Sequence, residues 1–457
     1  MSRASSGPSR SRSRAAALAL VLTGCAHGPV LGGPDSWTVV QDETFTLTEP
    51  AEVVAELTVS CATCDWSQRG REAAVLSLTV DGRYSQDLPV VQGKGPAPYR
   101  VLLGPLDAGT HRLSVSVDGA VSAVGAHGVS ARVVFAPVAA TAPEHLALSL
   151  APVLYQRPNA VGAFTDVPLL MWYESQPTEV GTRLRYSVVF SNEDGGTPVD
   201  RLMATWGRVT DIELVYEVEI DAHGAVIQDV YQGPDHNMQR FAGQREGRHP
   251  LLWVVTDNNM VSDRGQTRRR HWPAPERIDL RDVSREAVMD AHPWTYRVMA
   301  EEARREGRVQ DDVPLGLDKI PDPRQFVYLE ACGDVDDAVL AFDVGIVQSG
   351  RLQWLPSDGG GLARYRIARS GCFRGAVALP SGAPDALEAV RFRAHTRPPR
   401  EGEVPLTPGM GTVRITRVNR LFRLGADYVP GPDLMHWAGE ARLSGEGPPL
   451  ELPISRR

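Results

Sequence analysis

The chain has 457 residues, 42% of them hydrophobic and 23% charged, which fits a packed water-soluble body of two or three domains behind an export signal. Its 43 glycines and 35 prolines favour many turns over long helices, yet they are too few for a low-complexity chain. A formal charge of −8 excludes a general nucleic-acid binder, because no basic excess is available to release phosphate counterions.

Arg3, Arg10, Arg12 and Arg14 form a basic start without acidic residues, and an apolar run over 15–22 follows. That run is too short for a bilayer core of about 30 Å, but it suits the hydrophobic part of a signal peptide. Leu22-Thr23-Gly24-Cys25 then resembles the bacterial lipobox, which implies cleavage before Cys25 and lipidation of its thiol. The expectation is a signal peptide over 1–24, a tether over 25–34 and a soluble body held to a membrane of the cell envelope by its lipid. Ala26, in place of aspartate, points to the outer membrane, with its periplasmic and surface faces both open.

With Cys25 lipidated, Cys61, Cys64, Cys332 and Cys372 remain, an even number in an oxidising compartment. Proximity favours Cys61–Cys64 and Cys332–Cys372 among the three pairings. The second closes a loop of about 40 residues, worth roughly 4 kcal/mol in the chain-entropy model. The first closes a small ring that gains little entropy and is comparatively easy to reduce. A redox C-x-x-C needs a helix N-terminus to lower a thiol pKa. Here the motif follows a strand pattern and enters a polar loop, so a structural bridge is the reading, with redox and four-cysteine zinc sites as alternatives.

Residues 35–137 alternate apolar and polar residues at period two, with turn signals every 8–12 residues. The run 75–80 leads into Asp81-Gly82, a strong hairpin signal, and further strands fall at 99–103 and 111–117. An antiparallel β-sandwich is the reading. After a linker at 141–144, residues 145–310 form a β-rich middle domain with strands at 184–190, 211–220, 225–231 and 250–256. Ser284 is placed to cap a helix carrying Ala287, Val288 and Ala291 that Pro293 stops. A second helix runs from Trp294 to about Arg305, with Trp294, Val298 and Ala303 on one face. A final sandwich-like domain, 325–457, has strands at 326–330, 338–344, 363–368 and 411–418. The fold class is therefore mostly β: antiparallel sandwiches in tandem, with a short helical pair after the middle domain.

The densest polar cluster is Asp211-Ile-Glu213-Leu-Val-Tyr-Glu217-Val-Glu219-Ile-Asp221. Alternation puts Ile212, Leu214, Tyr216, Val218 and Ile220 on one face and the five carboxylates on the other. Carboxylates two apart on a strand sit roughly 7 Å from each other, close enough to share a hard cation or to divide acid and base roles. His236, His249 and Asp257 flank neighbouring strands on loops, where sites concentrate. Asp211, Glu213, His236, His249 and Asp257 are thus the candidate ligands of a divalent cation. The plainer alternative is a half-buried strand with a solvated acidic face. Arg268-Arg269-Arg270-His271-Trp272 reads as a charged loop in solvent, with an anion or lipid-headgroup contact as the alternative, and Trp354, Tyr428 and Trp437 read as core aromatics, with a sugar platform as the alternative.

Residues 200–265 carry "TWGRVTDIELVYEVEID", "YQGPDHNMQRF" and "HPLLWVVTDNNMVSDRG" in that order, which resembles the Vps62 (DUF946) family. The matching positions are Asp211, Ile212, Glu213, His236, His249 and Pro250, with Thr210 standing where an aromatic residue is expected. The resemblance implies a β-rich core and supplies no reaction. No G-x-S-x-G elbow, H-E-x-x-H, P-loop or Rossmann glycine pattern occurs. The leading expectation is a non-enzymatic binding or structural lipoprotein that contacts envelope glycans or proteins. The alternative is a metal-assisted hydrolase centred on the middle domain.

Overall fold

The structure is a computed structural model that describes residues 37–158, 160–193, 195–382 and 387–454; the expected signal peptide, Cys25 and the tether lie outside them. The first strands are β1 (Trp37–Leu47), β2 (Ala51–Cys61), β3 (Val75–Val80), β4 (Arg83–Pro89), β5 (Ala97–Leu106), β6 (Gly109–Asp118) and β7 (Val129–Ala139). They pair as β1-β6-β3-β4 and β5-β2-β7, two sheets whose inward residues, such as Val53, Leu57, Leu76 and Val115, close one core. Asp81 and Gly82 both take the left-handed conformation, φ 51° and 76°, that a two-residue hairpin between right-twisted strands requires.

The middle of the chain holds α1 (His145–Ser149), β8 (Val153–Tyr155), α2 (Ala160–Ala163), β9 (Pro168–Pro177), β10 (Gly181–Phe190), α3 (Val199–Trp206), β11 (Asp211–Asp221), β12 (Val226–Gln232) and β13 (Met238–Arg240). Short strands follow: β14 (Arg245–Glu246), β15 (His249–Val254), β16 (Val261–Ser262), β17 (Arg270–His271) and β18 (Glu276–Arg277). A six-stranded sheet, β13-β12-β11-β10-β9-β18, buries one face against the small sheet β14-β15-β8-β17 through Tyr186, Val188, Tyr216 and Leu252.

Its other face, with Trp172, Val189 and Ile212, is covered by α3 and by the expected helical pair, α4 (Ala287–Ala291) and α5 (Trp294–Arg305). Ser284 does not cap α4; its hydroxyl donates to buried Glu330 at 2.7 Å. The face expected to join Trp294, Val298 and Ala303 is divided. Val298 packs into the first sandwich and Ala303 into the layer beneath the last one, so α5 is wedged between two cores.

The last strands are β19 (Phe326–Asp336), β20 (Ala338–Gln348), β21 (Arg351–Pro356), β22 (Gly371–Ala378), β23 (Leu387–Thr396), β24 (Thr412–Phe422), β25 (Trp437–Ser444) and β26 (Leu450–Pro453). They form the sheets β22-β19-β24-β25 and β21-β20-β23-β26 around Leu340, Phe342, Phe392 and Ile415. The strand expected over 363–368 is instead a single 3-10 turn, Ala363–Tyr365, and only Ile367 bridges to Leu340. Tyr365 is buried there with its hydroxyl on Asp200, 2.9 Å away, a bond across elements that local alternation cannot register.

Both disulfides form as proximity favours. Cys332 and Cys372 are direct cross-strand partners of β19 and β22. Cys61 and Cys64 close the small ring at the end of β2, and Cys64 Sγ accepts the Ala74 N–H at 3.2 Å. Their exposures are 0% and 1%, so burial opposes the easy reduction expected of so small a ring.

Candidate functional site

The acidic strand departs from simple alternation. In the pairing of β10 with β11, Tyr186 faces Tyr216 and Ser187 faces Leu214, so Val215 is an extra residue, a β-bulge. The bulge reverses the faces. Asp211 and Glu213 lie opposite Phe190 and Val188, on the side of Tyr216 and Val218, whereas Glu217 lies opposite Arg185 and Glu219 opposite Arg183. Arg185 reaches Glu217 at 3.0 Å and Arg183 approaches Glu219 at 3.8 Å. The five carboxylates therefore do not share one face.

Asp211 is buried, with Asn259 Nδ2 donating to it at 3.0 Å and Arg208 at 3.7 Å. Asn259 sits at φ 57° and donates also to the Asn192 carbonyl at 3.0 Å, so the 256–260 turn is latched onto the end of the sheet. Burial, then the charge of Asp211, pushes Glu213 up to about 8 and Glu193 up to about 7. Burial raises Asp211 as well.

The other candidates lie apart from this pair or are differently engaged. Asp257 is exposed and accepts from Arg157 at 2.9 Å. His236 is exposed at φ 57° in a tight turn, its Nε2 3.4 Å from Asn258 Nδ2. His249 opens the strand whose far end leads into the 256–260 turn, about 20 Å away at the usual strand rise. It is fully buried, donates from Nδ1 to the Ala151 carbonyl at 2.9 Å, and faces Glu52 of β2 at 3.3 Å. Among the described residues, no group of three or more His, Cys, Asp or Glu is arranged to hold a metal ion.

The arginine run is a seam within the protein. Arg269 donates to Asp87 at 2.8 Å and Asp118 at 2.9 Å, and Arg270 bonds Glu246. Trp272 O accepts from Leu102 N at 2.8 Å, and its ring lies over Gly104, where a Cβ would stand 2.6 Å from the indole. The sugar platform also dissolves: Tyr428 belongs to the helical layer, Trp437 packs on the last core, and Trp354 is covered by Arg391 at 4.3 Å.

Beside the seam, the first sandwich, the seam and α5 enclose two adjoining hollows that share Gln92, Pro98 and Trp294. One, of about 140 Å³, is walled by Leu88, Val101, Met171 and Trp272. His271 lines it, with Nδ1 donating to the Asp87 carbonyl at 2.7 Å. Burial pushes His271 down to about 4, so the ring is neutral and Nε2 carries the lone pair.

The other hollow, of about 480 Å³, is polar, lined by Asp65, Lys94, Arg297 and Glu301. Arg297 turns away to the Gln92 carbonyl at 2.8 Å, and Arg304 to Asp322 and Tyr428. No hydrogen bond or ion pair holds Glu301 among the described residues, and burial raises it to about 7. Trp294, partly exposed, stands between the two hollows. The cleft escapes sequence reading because its walls come from residues 64–66, 86–101, 168–171, 271–276 and 292–301. The one local signal is Trp294, Arg297 and Glu301 at helical spacing.

No protein-family model matches the chain, and no curated protein matches it. Solved structures resemble it slightly. A GH2 beta-galacturonidase from Eisenbergiella tayi bound to glycerol is 13% identical over 34% of this chain and 22% of its own, with a TM-score of 0.13. The chain thus spans about a fifth of that enzyme's length. A lectin from Pleurotus ostreatus in complex with GalNAc is 9% identical over 84% of this chain and 85% of its own, with a TM-score of 0.12. Likeness this slight carries no argument about function.

Proposed function

We propose that the chain is a glycan-binding β-sandwich protein whose site is the double hollow around Trp294. The observation that carries this reading is the partly exposed indole between an apolar and a polar chamber. A pyranose ring has apolar C–H faces and a polar hydroxyl rim, and that pairing of a flat aromatic wall with hydrogen-bonding groups is what it requires. Asp65, Lys94 and Glu301 offer acceptors and donors of both signs, which suits hydroxyls better than one strongly charged ligand.

The test is binding of the full-length chain to a panel of immobilised polysaccharides. Trp294→Ala is expected to weaken the best ligand at least tenfold, about 1.4 kcal/mol or more, with the melting temperature nearly kept. Unchanged affinity would remove the site.

We propose further that a lipid on Cys25 holds this body at the envelope, on the outer membrane. Among the described residues no helix is long and apolar enough to cross a membrane. Metabolic labelling with a tagged fatty acid is expected to mark the wild-type chain and to be lost in Cys25→Ser. Label persisting in the variant would refute the anchor.

A further inference from the structure

A half-buried carboxyl without donors is costly to charge, and a ligand that supplies the donors relieves that cost. Glu301 is such a group. It lines the polar hollow of about 480 Å³ with Trp294, Asp65 and Lys94. Neither a hydrogen bond nor an ion pair holds it among the described residues, and neither of its carboxyl oxygens is shut away from water. Burial pushes it up to about 7, and the charged groups around it are Arg297 and Arg304 of its own helix and Asp65 of the loop after β2. Asp65 is already engaged, by Ser67 Oγ at 2.6 Å and Gln68 Nε2 at 2.8 Å. Glu301 is therefore the acid of this hollow with its accepting capacity free.

Trp294 and Glu301 stand about two turns apart on α5, roughly 10 Å along the helix axis. Arg297 lies between them, and all three line the one hollow. Side chains on a helix lean the same way, so the spacing carries outward from the backbone. It exceeds a single pyranose ring. A ring stacked on the indole does not bring its own hydroxyls to the Glu301 carboxyl, whereas the next ring of a linked chain does.

We infer that the cleft binds a chain of at least two linked pyranoses, one stacked on Trp294 and the next donating its hydroxyls to the Glu301 carboxyl. This rests on the reading of the cleft as a glycan site and sets the ligand class: oligosaccharides, not single sugars. A carboxyl accepts two neighbouring hydroxyls at once, and an amide in its place still accepts one.

The probes are the monosaccharide and the disaccharide obtained by partial acid hydrolysis of the panel polysaccharide that binds best, titrated by calorimetry into the full-length chain. The disaccharide is expected to bind at least tenfold more tightly. Glu301→Ala should bring that ratio to about one while leaving the affinity for the monosaccharide unchanged, and Glu301→Gln should keep most of the preference. Should Glu301→Ala fail to fold, the wild-type carboxyl ¹³C spectrum decides. Hydroxyl donors favour the charged form, so the Glu301 titration moves to lower pH with the disaccharide and stays in place with the monosaccharide. A titration unmoved by the disaccharide overturns the inference. Equal affinity for the two sugars, or a ratio that survives Glu301→Ala, overturns the second subsite and leaves the glycan reading standing. Failure of every polysaccharide in the panel to bind removes the glycan reading and this inference with it.

Discussion

Arg374→Ala is expected to destabilise the protein by about 3–5 kcal/mol, enough to leave much of the chain unfolded at moderate temperature. Arg374 is on β22, fully buried, and ties the last sandwich to the helical layer. Its guanidinium donates to Glu330 and Asp290 at 2.6 Å each and to the Tyr296 hydroxyl at 2.6 Å, with the Phe422 ring 5.2 Å beneath it. Glu330 also receives Ser284 Oγ at 2.7 Å and Asn419 Nδ2 at 3.0 Å, and Asp290 receives Arg420 at 2.8 Å.

Taking the cation away strands two carboxylates out of water, which costs far more than the pair contributes when intact. Replacing all three groups together, Arg374→Met with Glu330→Gln and Asp290→Asn, should therefore cost much less than the single change. Denaturant melts of the single and triple variants check this. A single change costing under about 1 kcal/mol would mean that water enters the site and solvates the acids.

The elements legible in the sequence are those whose signals are local. Asp81-Gly82 must adopt left-handed conformations, and the hairpin follows. Pro293 separates α4 from α5, and both helices lie where their apolar spacing predicts. Cys332 and Cys372 pair as their spacing favours, across adjacent strands. Features decided by contacts between distant segments are not legible. Val215 looks like any alternating residue, yet as a bulge it sends Glu217 and Glu219 to face Arg185 and Arg183 and leaves Asp211 and Glu213 on the opposite side. The arginine run reads as a solvated loop because its acceptors, Asp87 and Asp118, belong to strands of the first sandwich, far back along the chain. His249 reads as a loop ligand, but the carbonyl that fixes its tautomer belongs to Ala151. The candidate cleft is assembled entirely in this second way.

The carboxylates at the end of β11 predict an unusual pH dependence. Glu193 and Glu213 are held up near 7 and 8, against 4.5 for an unhindered glutamate, by burial and by Asp211, while Arg285 and Arg208 oppose the rise. In this range the folded protein binds protons that the unfolded chain has released. Stability from these groups is complete below about pH 4.5 and is lost as pH rises through 7 to 8. Each tenfold gain in proton affinity on folding is worth about 1.4 kcal/mol. Allowing for relaxation around charged carboxylates, the loss between pH 5 and 8 is on the order of 3 kcal/mol.

Two effects bound it on the acid side. Burial acts to raise Asp290 and Asp322, but the arginines around them, Arg374 and Arg324 foremost, outweigh it and hold both below their ordinary values. Their contribution disappears as pH falls through those depressed values. His271, pushed down to about 4 from 6.5 by burial, also weakens the fold progressively below 6.5. Thermal melts should therefore show a maximum near pH 5–6 and a decline toward pH 8. Glu213→Gln, which keeps the neutral shape at every pH, should reduce that decline, leaving the share of Glu193, Glu301 and Glu302, and raise the melting temperature at pH 8 while leaving pH 5 almost unchanged. A wild-type curve level from pH 5 to 8, or a variant that melts lower at pH 8, would show that Glu213 is ionised and solvated in the fold.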